Sequence, residues 1–177
     1  LGDVYKRQMG HQALSAEDEY GRNIAIGYNA LAVQDAGANA LNVAIGHQAG
    51  LSITTGVENT IVGGDAGDAL TTGISNVAIG HKALSAEDTD NYNTAIGTFA
   101  LKVQDGGASN TAVGREAGKS VTTGDNNTIV GANAGDALTT GANNIIIGKN
   151  AAASAVGVNN EITLGDGNIS AIRAQVT

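Results

Sequence analysis

The chain has 177 residues with no proline, cysteine or tryptophan and a single phenylalanine, which excludes a disulfide framework and a cysteine-ligated zinc site. Its formal charge of −8 argues against nucleic acid and anionic membrane surfaces as partners. No apolar run approaches the roughly 20 residues that a membrane helix needs, so no membrane insertion is expected.

Residues 1–8 (LGDVYKRQ) stand outside the pattern that follows and resemble read-through at the edge of an assembled metagenomic fragment. The natural N-terminus is therefore expected to lie elsewhere, and the lack of a signal peptide fixes no location. From Met9 onward, glycine closes the same short phrase again and again, at Gly10, Gly27, Gly46, Gly63, Gly80, Gly97, Gly114, Gly131, Gly148 and Gly165. Every step is 17 residues except Gly27 to Gly46, which is 19. A period this short, held so long, specifies a stacked solenoid rather than a globular core.

With each glycine as position zero, position −1 is always aliphatic (Ile26, Ile45, Val62, Ile79, Ile96) and position −3 is β-branched (Ile24, Val43, Thr60, Val77, Thr94). These two share one face of a strand. Position −2, on the other face, is also mostly apolar: Ala25, Ala44, Ile61, Ala78, Ala95, Ala112, Ile129, Ile146. A strand apolar on both faces is buried on both. The −2 face, with its small alanines, is expected to be the one that a neighbouring chain covers. Asparagine holds position −4 at Asn23, Asn42, Asn59, Asn76, Asn93, Asn110, Asn127 and Asn144, where stacked amides can bond up a ladder.

Position +3 is alanine from Ala13 to Ala151, and position +4 alternates between leucine (Leu14, Leu31, Leu84, Leu101) and glycine (Gly50, Gly67, Gly118, Gly135). This predicts a second short strand or a corner packed on the first. Thr-Thr-Gly turns follow, as at 54–56 and 122–124. The fold expected is all-β: a parallel β-roll of about ten 17-residue turns over residues 9–158, with a C-terminal strand or cap over 159–177. At standard strand spacing such a stack is about 45–50 Å long. A four-turn block is duplicated, since HQALSAED at 11–18 returns as HKALSAED at 81–88 and GDAGDALTTG at 64–73 as ANAGDALTTG at 132–141.

The phrases NTAIG, NTAVG and NVAIG, with their Ala-Leu or Ala-Gly corners and TTG turns, resemble the head repeats of trimeric autotransporter adhesins. They are still more similar to repeats in tail-fibre-like proteins of bacteriophages. The resemblance implies a left-handed parallel β-roll in which three chains pack about one axis. The ending NEITLGDGNISAIRAQVT resembles the segment before the intramolecular chaperone of phage tail fibres, and no chaperone sequence follows it. It implies a homotrimeric fibre segment in a virion that serves as a spacer and binds a host-surface glycan or protein. A bacterial surface adhesin head is the alternative, with an ice-binding solenoid and a glycan-cleaving tailspike as minor ones.

Side chains that bear chemistry are sparse, and neither catalytic residues nor a cofactor are expected. Glu17-Asp18-Glu19 and Glu87-Asp88-Thr89-Asp90 occupy equivalent loops, where carboxylates suit calcium or acid–base work but more simply keep a rod soluble. His11, His47 and His81 all sit at position +1, a weak candidate for a metal ring in a trimer. That position also holds Tyr28, Gly64, Thr98 and Arg115, which marks it as an exposed slot. The candidate receptor contacts are Glu17, Asp18, Tyr20, Tyr28, Glu87, Asp88, Tyr92 and Phe99. For the aromatic ones, packing at the duplicated position is the competing explanation. The glycines from Gly27 to Gly148 and the eight asparagines are expected to be structural.

Overall fold

The computed structural model describes residues 7–16, 21–37, 39–86 and 89–171. Among these residues ten three-residue strands follow one another: β1 Arg7–Met9, β2 Ile24–Ile26, β3 Val43–Ile45, β4 Thr60–Val62, β5 Val77–Ile79, β6 Thr94–Ile96, β7 Thr111–Val113, β8 Thr128–Val130, β9 Ile145–Ile147 and β10 Ile162–Leu164. They form one parallel sheet in sequence order, each strand pairing with the next in unbroken register, so that Thr94, Ala95 and Ile96 lie over Val77, Ala78 and Ile79. The chain is thus a parallel β-solenoid, with no helix among the described residues. Strand β1 takes in Arg7 and Gln8 from the leader, which occupy the −3 and −2 positions with polar side chains. The two extra residues between Gly27 and Gly46 leave the pairing of β2 with β3 intact, because the loop absorbs them.

The expected ladder forms. The Oδ1 of Asn93 accepts the backbone N–H of Asn110 at 2.9 Å, and its Nδ2 donates to the carbonyl of Gly107 at 2.8 Å, both in the next turn. The same pair of bonds links Asn42 to the Asn59 turn, Asn110 to the Asn127 turn and Asn127 to the Asn144 turn. Each asparagine is buried, so the ladder satisfies polar groups that would otherwise be stranded in the core. It stops at Glu161, which receives the Asn144 side chain through its own N–H at 2.9 Å. A carboxylate has no N–H to send onward. It turns back instead to accept from the Ser154 hydroxyl and N–H and from the Thr163 hydroxyl, and the Ser154 hydroxyl foremost holds it below the usual carboxylate range.

The anchor glycines stack backbone on backbone. Gly97 has φ +134°, and a Cβ there would lie 2.4 Å from the carbonyl oxygen of Gly114, so no other residue fits. Beyond the glycine, positions +1 to +4 form a turn, so of the two readings of this stretch the corner holds and the second short strand does not. Two left-handed residues close this corner. Position +2 holds φ between 53° and 61°, as at Lys82 and Phe99, and position +4 includes Leu31 at 49° and Leu101 at 46°. A third left-handed residue, at position −5, makes the opposite corner, with Ser75 at 57° and Tyr92 at 63°. Left-handed backbone at a residue with a Cβ costs roughly 1–2 kcal/mol, so each turn stores strain that stacking must offset.

Inside the coil, volume is traded between turns. From the Gly27 turn on, leucine at +4 goes with alanine at −2 (Ala78 with Leu84, Ala95 with Leu101), and Ile61 and Ile129 at −2 go with glycine at +4 (Gly67 and Gly135), all of them fully buried, while Ile146 near the end of the stack goes with Ala152. A Cβ on Gly118 would lie 2.9 Å from Leu101 Cδ2 and 3.0 Å from Ile129 Cδ1, so the glycine makes room for side chains in the turns on both sides. Position +7 completes the filling with Ile53, Leu70, Val121 and Leu138. Gln34 and Gln104 take that slot in two turns, where Gln34 Oε1 accepts from Asn42 Nδ2 at 2.9 Å.

Candidate interaction surface

The strand faces are the reverse of the sequence expectation. Position −2, expected to meet a neighbouring chain, points into the coil, and Ala25, Ala44, Ile61, Ala78, Ala95, Ala112, Ile129 and Ile146 are all 0% exposed. The physical reason is the narrow interior. A coil whose sides are three residues long has room at −2 for an alanine beside a leucine, or an isoleucine beside a glycine, and no more. Positions −1 and −3 therefore face outward, with Ile26 at 38%, Ile45 at 37% and Ile147 at 42% exposure, and the intervening Val62, Ile79, Ile96, Val113 and Val130 half-buried. Eight strands in register, β2 to β9, turn this into one continuous strip of Ile, Val and Thr along the rod.

The strip is bounded by the two left-handed corners. On the +1/+2 side, Tyr28 stacks between His11 and His47, with both centroid separations 5.4 Å and interplanar angles of 8° and 10°. Four turns on, His81 meets Phe99 edge-on at 5.4 Å, and Lys102 Nζ lies 5.1 Å from the Phe99 centroid. His47 Nδ1 also lies 3.2 Å from Asp65 Oδ1 in the following turn. The packing reading of these aromatics has a concrete form in these contacts, while the rings keep exposed edges. On the −5/−6 side, Leu41 is 47% and Tyr92 62% exposed, with Ile74 beside them in the chain's course up the corner.

Of the other sequence candidates, Glu17, Asp18, Tyr20, Glu87 and Asp88 lie outside the described residues. His11 and His47 are held apart by the Tyr28 ring and do not converge on one ion within the chain. Among the described residues no three His, Asp or Glu side chains come close enough to share a metal. The Thr-Thr-Gly turns use their first hydroxyl internally, Thr54 donating to the Thr71 carbonyl at 3.3 Å and Thr122 to that of Thr139 at 3.2 Å. Asp68 is partly buried, and that desolvation raises its carboxyl above the usual range.

Sequence reasoning reached the −5/−6 corner only at Tyr92 and passed over its other large apolar residues, Leu41 at −5 and Ile74 at −6. It also missed a second ladder there: Asn91 Oδ1 accepts from the Ile74 N–H at 2.6 Å, Asp125 Oδ1 from Ala108 at 2.8 Å and Asn159 Oδ1 from Ala142 at 2.6 Å. Its signal was the spacing of 34 residues, every second turn, between these side chains. No protein-family model matches the chain, and neither a curated protein nor a solved structure matches it.

Proposed function

We propose that the chain is a structural fibre segment, a stiff spacer of the phage tail-fibre kind, in which three copies bury their outward aliphatic strips against one another and display their loops to a host surface. The observation that carries this reading is the strip itself, since a row of half-exposed Ile and Val runs the length of a parallel sheet and nothing among the described residues covers it. The repeat phrases that resemble tail-fibre and adhesin-head repeats supply the fibre context, in which the work is mechanics and display. A bacterial adhesin head uses the same physics in another setting.

The test is the solution mass of the purified chain, by light scattering on a size-exclusion column. A mass three times the 17.5 kDa of one chain, unchanged on dilution, is the expected result. A stable monomer would overturn the assembly and leave a bare, regular face whose Thr60-x-Val62 and Thr128-x-Val130 rows would then be assayed for thermal hysteresis.

A further inference from the structure

Two aspartates precede glycine, in Asp105-Gly106 and Asp166-Gly167, and no asparagine does. A following residue without a side chain leaves its amide nitrogen open to the aspartate carboxyl. The two steps differ in what holds that carboxyl. Asp166 Oδ1 accepts the Asn168 N–H at 3.0 Å and Oδ2 the Asn168 side-chain amide at 3.1 Å, and the Asn168 N–H foremost keeps this carboxyl below its usual range. The Asp105 side chain is exposed and makes no hydrogen bond or ion pair with another described residue. Gly106 is exposed too, with φ +105°; its N–H donates to no backbone carbonyl, and a Cβ on it would meet only the Thr123 methyl, at 3.4 Å. Both flanks of the pair are fixed. Gln104 is fully buried, and a Cβ on Gly107 would lie 2.5 Å from the Gly124 carbonyl oxygen, so Asp105-Gly106 stands out from the stack between two packed residues. Asp35 holds the same place in the first block, its N–H donating to the Thr54 carbonyl at 2.9 Å as that of Asp105 does to Thr122 at 3.0 Å, but alanine follows it.

We propose that Asp105 is a site of self-modification, turning into isoaspartate through a succinimide formed with Gly106. The Gly106 nitrogen attacks Cγ of the protonated Asp105 carboxyl, the N–Cγ bond closes the ring, and the amide hydrogen and the carboxyl hydroxyl leave as water. Water then adds to one of the two ring carbonyls. Opening at Cγ restores aspartate, whereas opening at the main-chain carbonyl leaves the chain running through the side-chain carbon, which is isoaspartate. One water is lost and one regained, nothing is oxidised or reduced, and solvent is the only co-reactant. At Asp166 the Asn168 contacts favour the ionised carboxyl, which is the form that does not react, and hold its oxygens away from the ring-closing path. The product at Asp105 has one more carbon in the main chain between Gln104 and Gly107. An exposed step takes this up by moving outward, so the packed residues on either side keep their register. The modified fraction therefore grows with the age of the protein, whether or not copies assemble.

The test is to hold the purified chain for weeks in neutral buffer at physiological temperature and then digest it with trypsin. Cleavage after Lys102, Arg115, Lys149 and Arg173 places the two steps in separate peptides, 103–115 and 150–173. The expected result is a second chromatographic form of 103–115, unchanged in mass and methylated by an isoaspartyl methyltransferase with S-adenosylmethionine. The unchanged mass separates it from amide loss at Asn110 in the same peptide. The mass-neutral form of 150–173 should be at least about tenfold scarcer, the rate counterpart of one hydrogen bond to a charged group. In denaturant, where Asn168 no longer holds Asp166, the two peptides should converge. Asp105→Glu keeps the charge at an exposed place without contacts but makes the ring too large to close readily. It should lose the second form of 103–115 and keep the circular dichroism of the parent. No second form on ageing, equal amounts at both steps in the folded chain, a difference that persists in denaturant, or a second form surviving in Asp105→Glu would each overturn the proposal.

Discussion

Asn93 shows how much a single side chain can hold in a repeat fold. Its amide accepts from one backbone group and donates to another in the following turn, and it lies fully buried while doing so. Replacing it by alanine strands the Asn110 N–H where water does not reach, while the Gly107 carbonyl keeps the Gln104 side-chain amide as a donor. At about 1–3 kcal/mol for the orphaned group, Asn93→Ala should lose roughly that much. Denaturant unfolding followed by circular dichroism would measure it. A loss below about 1 kcal/mol would mean that the ladder decorates the corner without supporting it. Asn93→Asp keeps the acceptor but sets a carboxylate against the Gly107 carbonyl, so its loss should be larger at neutral pH and shrink on acidification as the group takes up a proton.

At the scale of one turn, the coil is a packing problem solved jointly by neighbours. Gly118 leaves space that Leu101 and Ile129 enter from the turns below and above. Gly118→Ala should therefore cost about 1–3 kcal/mol by overpacking. Because the obstructing Cδ1 belongs to Ile129, Ile129→Val should recover part of that cost, and a double-mutant cycle should show favourable coupling of at least about 0.5 kcal/mol. Additive losses would indicate that φ +59° alone makes alanine unwelcome at this position. The same volume trade explains what could be read from the sequence. The strands, their parallel stacking and the asparagine ladder followed from period and residue type, since only glycine fits the anchor and a stacked amide can both donate and accept. Which strand face lies inside did not follow, because positions −1, −2 and −3 are all apolar. The reciprocal pairing of Ile61 with Gly67 and of Ala95 with Leu101 did carry the answer, for residues that exchange volume must share a space. No local signal marked Leu101, Tyr92 or Phe99 as left-handed, because these types avoid that conformation unless the stack imposes it. The candidate surface was legible only in part for the same reason: Tyr28, Tyr92 and Phe99 stood out as scarce aromatics, whereas Leu41 and Ile74 gain meaning only once the corners are placed.

For the whole molecule, the direction in which the strands face decides what would hold the proposed fibre together. Adjacent positions should have opposite roles, Ala95 serving the chain's own fold and Ile96 serving the assembly. A half-exposed isoleucine has about 1 kcal/mol of burial left to gain. Substituting Ile79 and Ile96 by lysine removes that gain in each copy. In a closed ring it also brings like charges together along the axis, a buried and unpaired arrangement costing several kcal/mol. Ile79→Lys/Ile96→Lys should therefore keep its β-type circular dichroism yet scatter as 17.5 kDa monomers, with a melting temperature no longer dependent on protein concentration. Ala95→Lys should do the opposite and lose the β signal outright, since a side chain that long has no room in a coil already filled by Leu101. If both variants lost the fold together, the chain would have no stable form outside the assembly, and fibre formation and folding would be a single event. If the double lysine variant kept its oligomeric mass, the copies would have to meet through surfaces other than the strip.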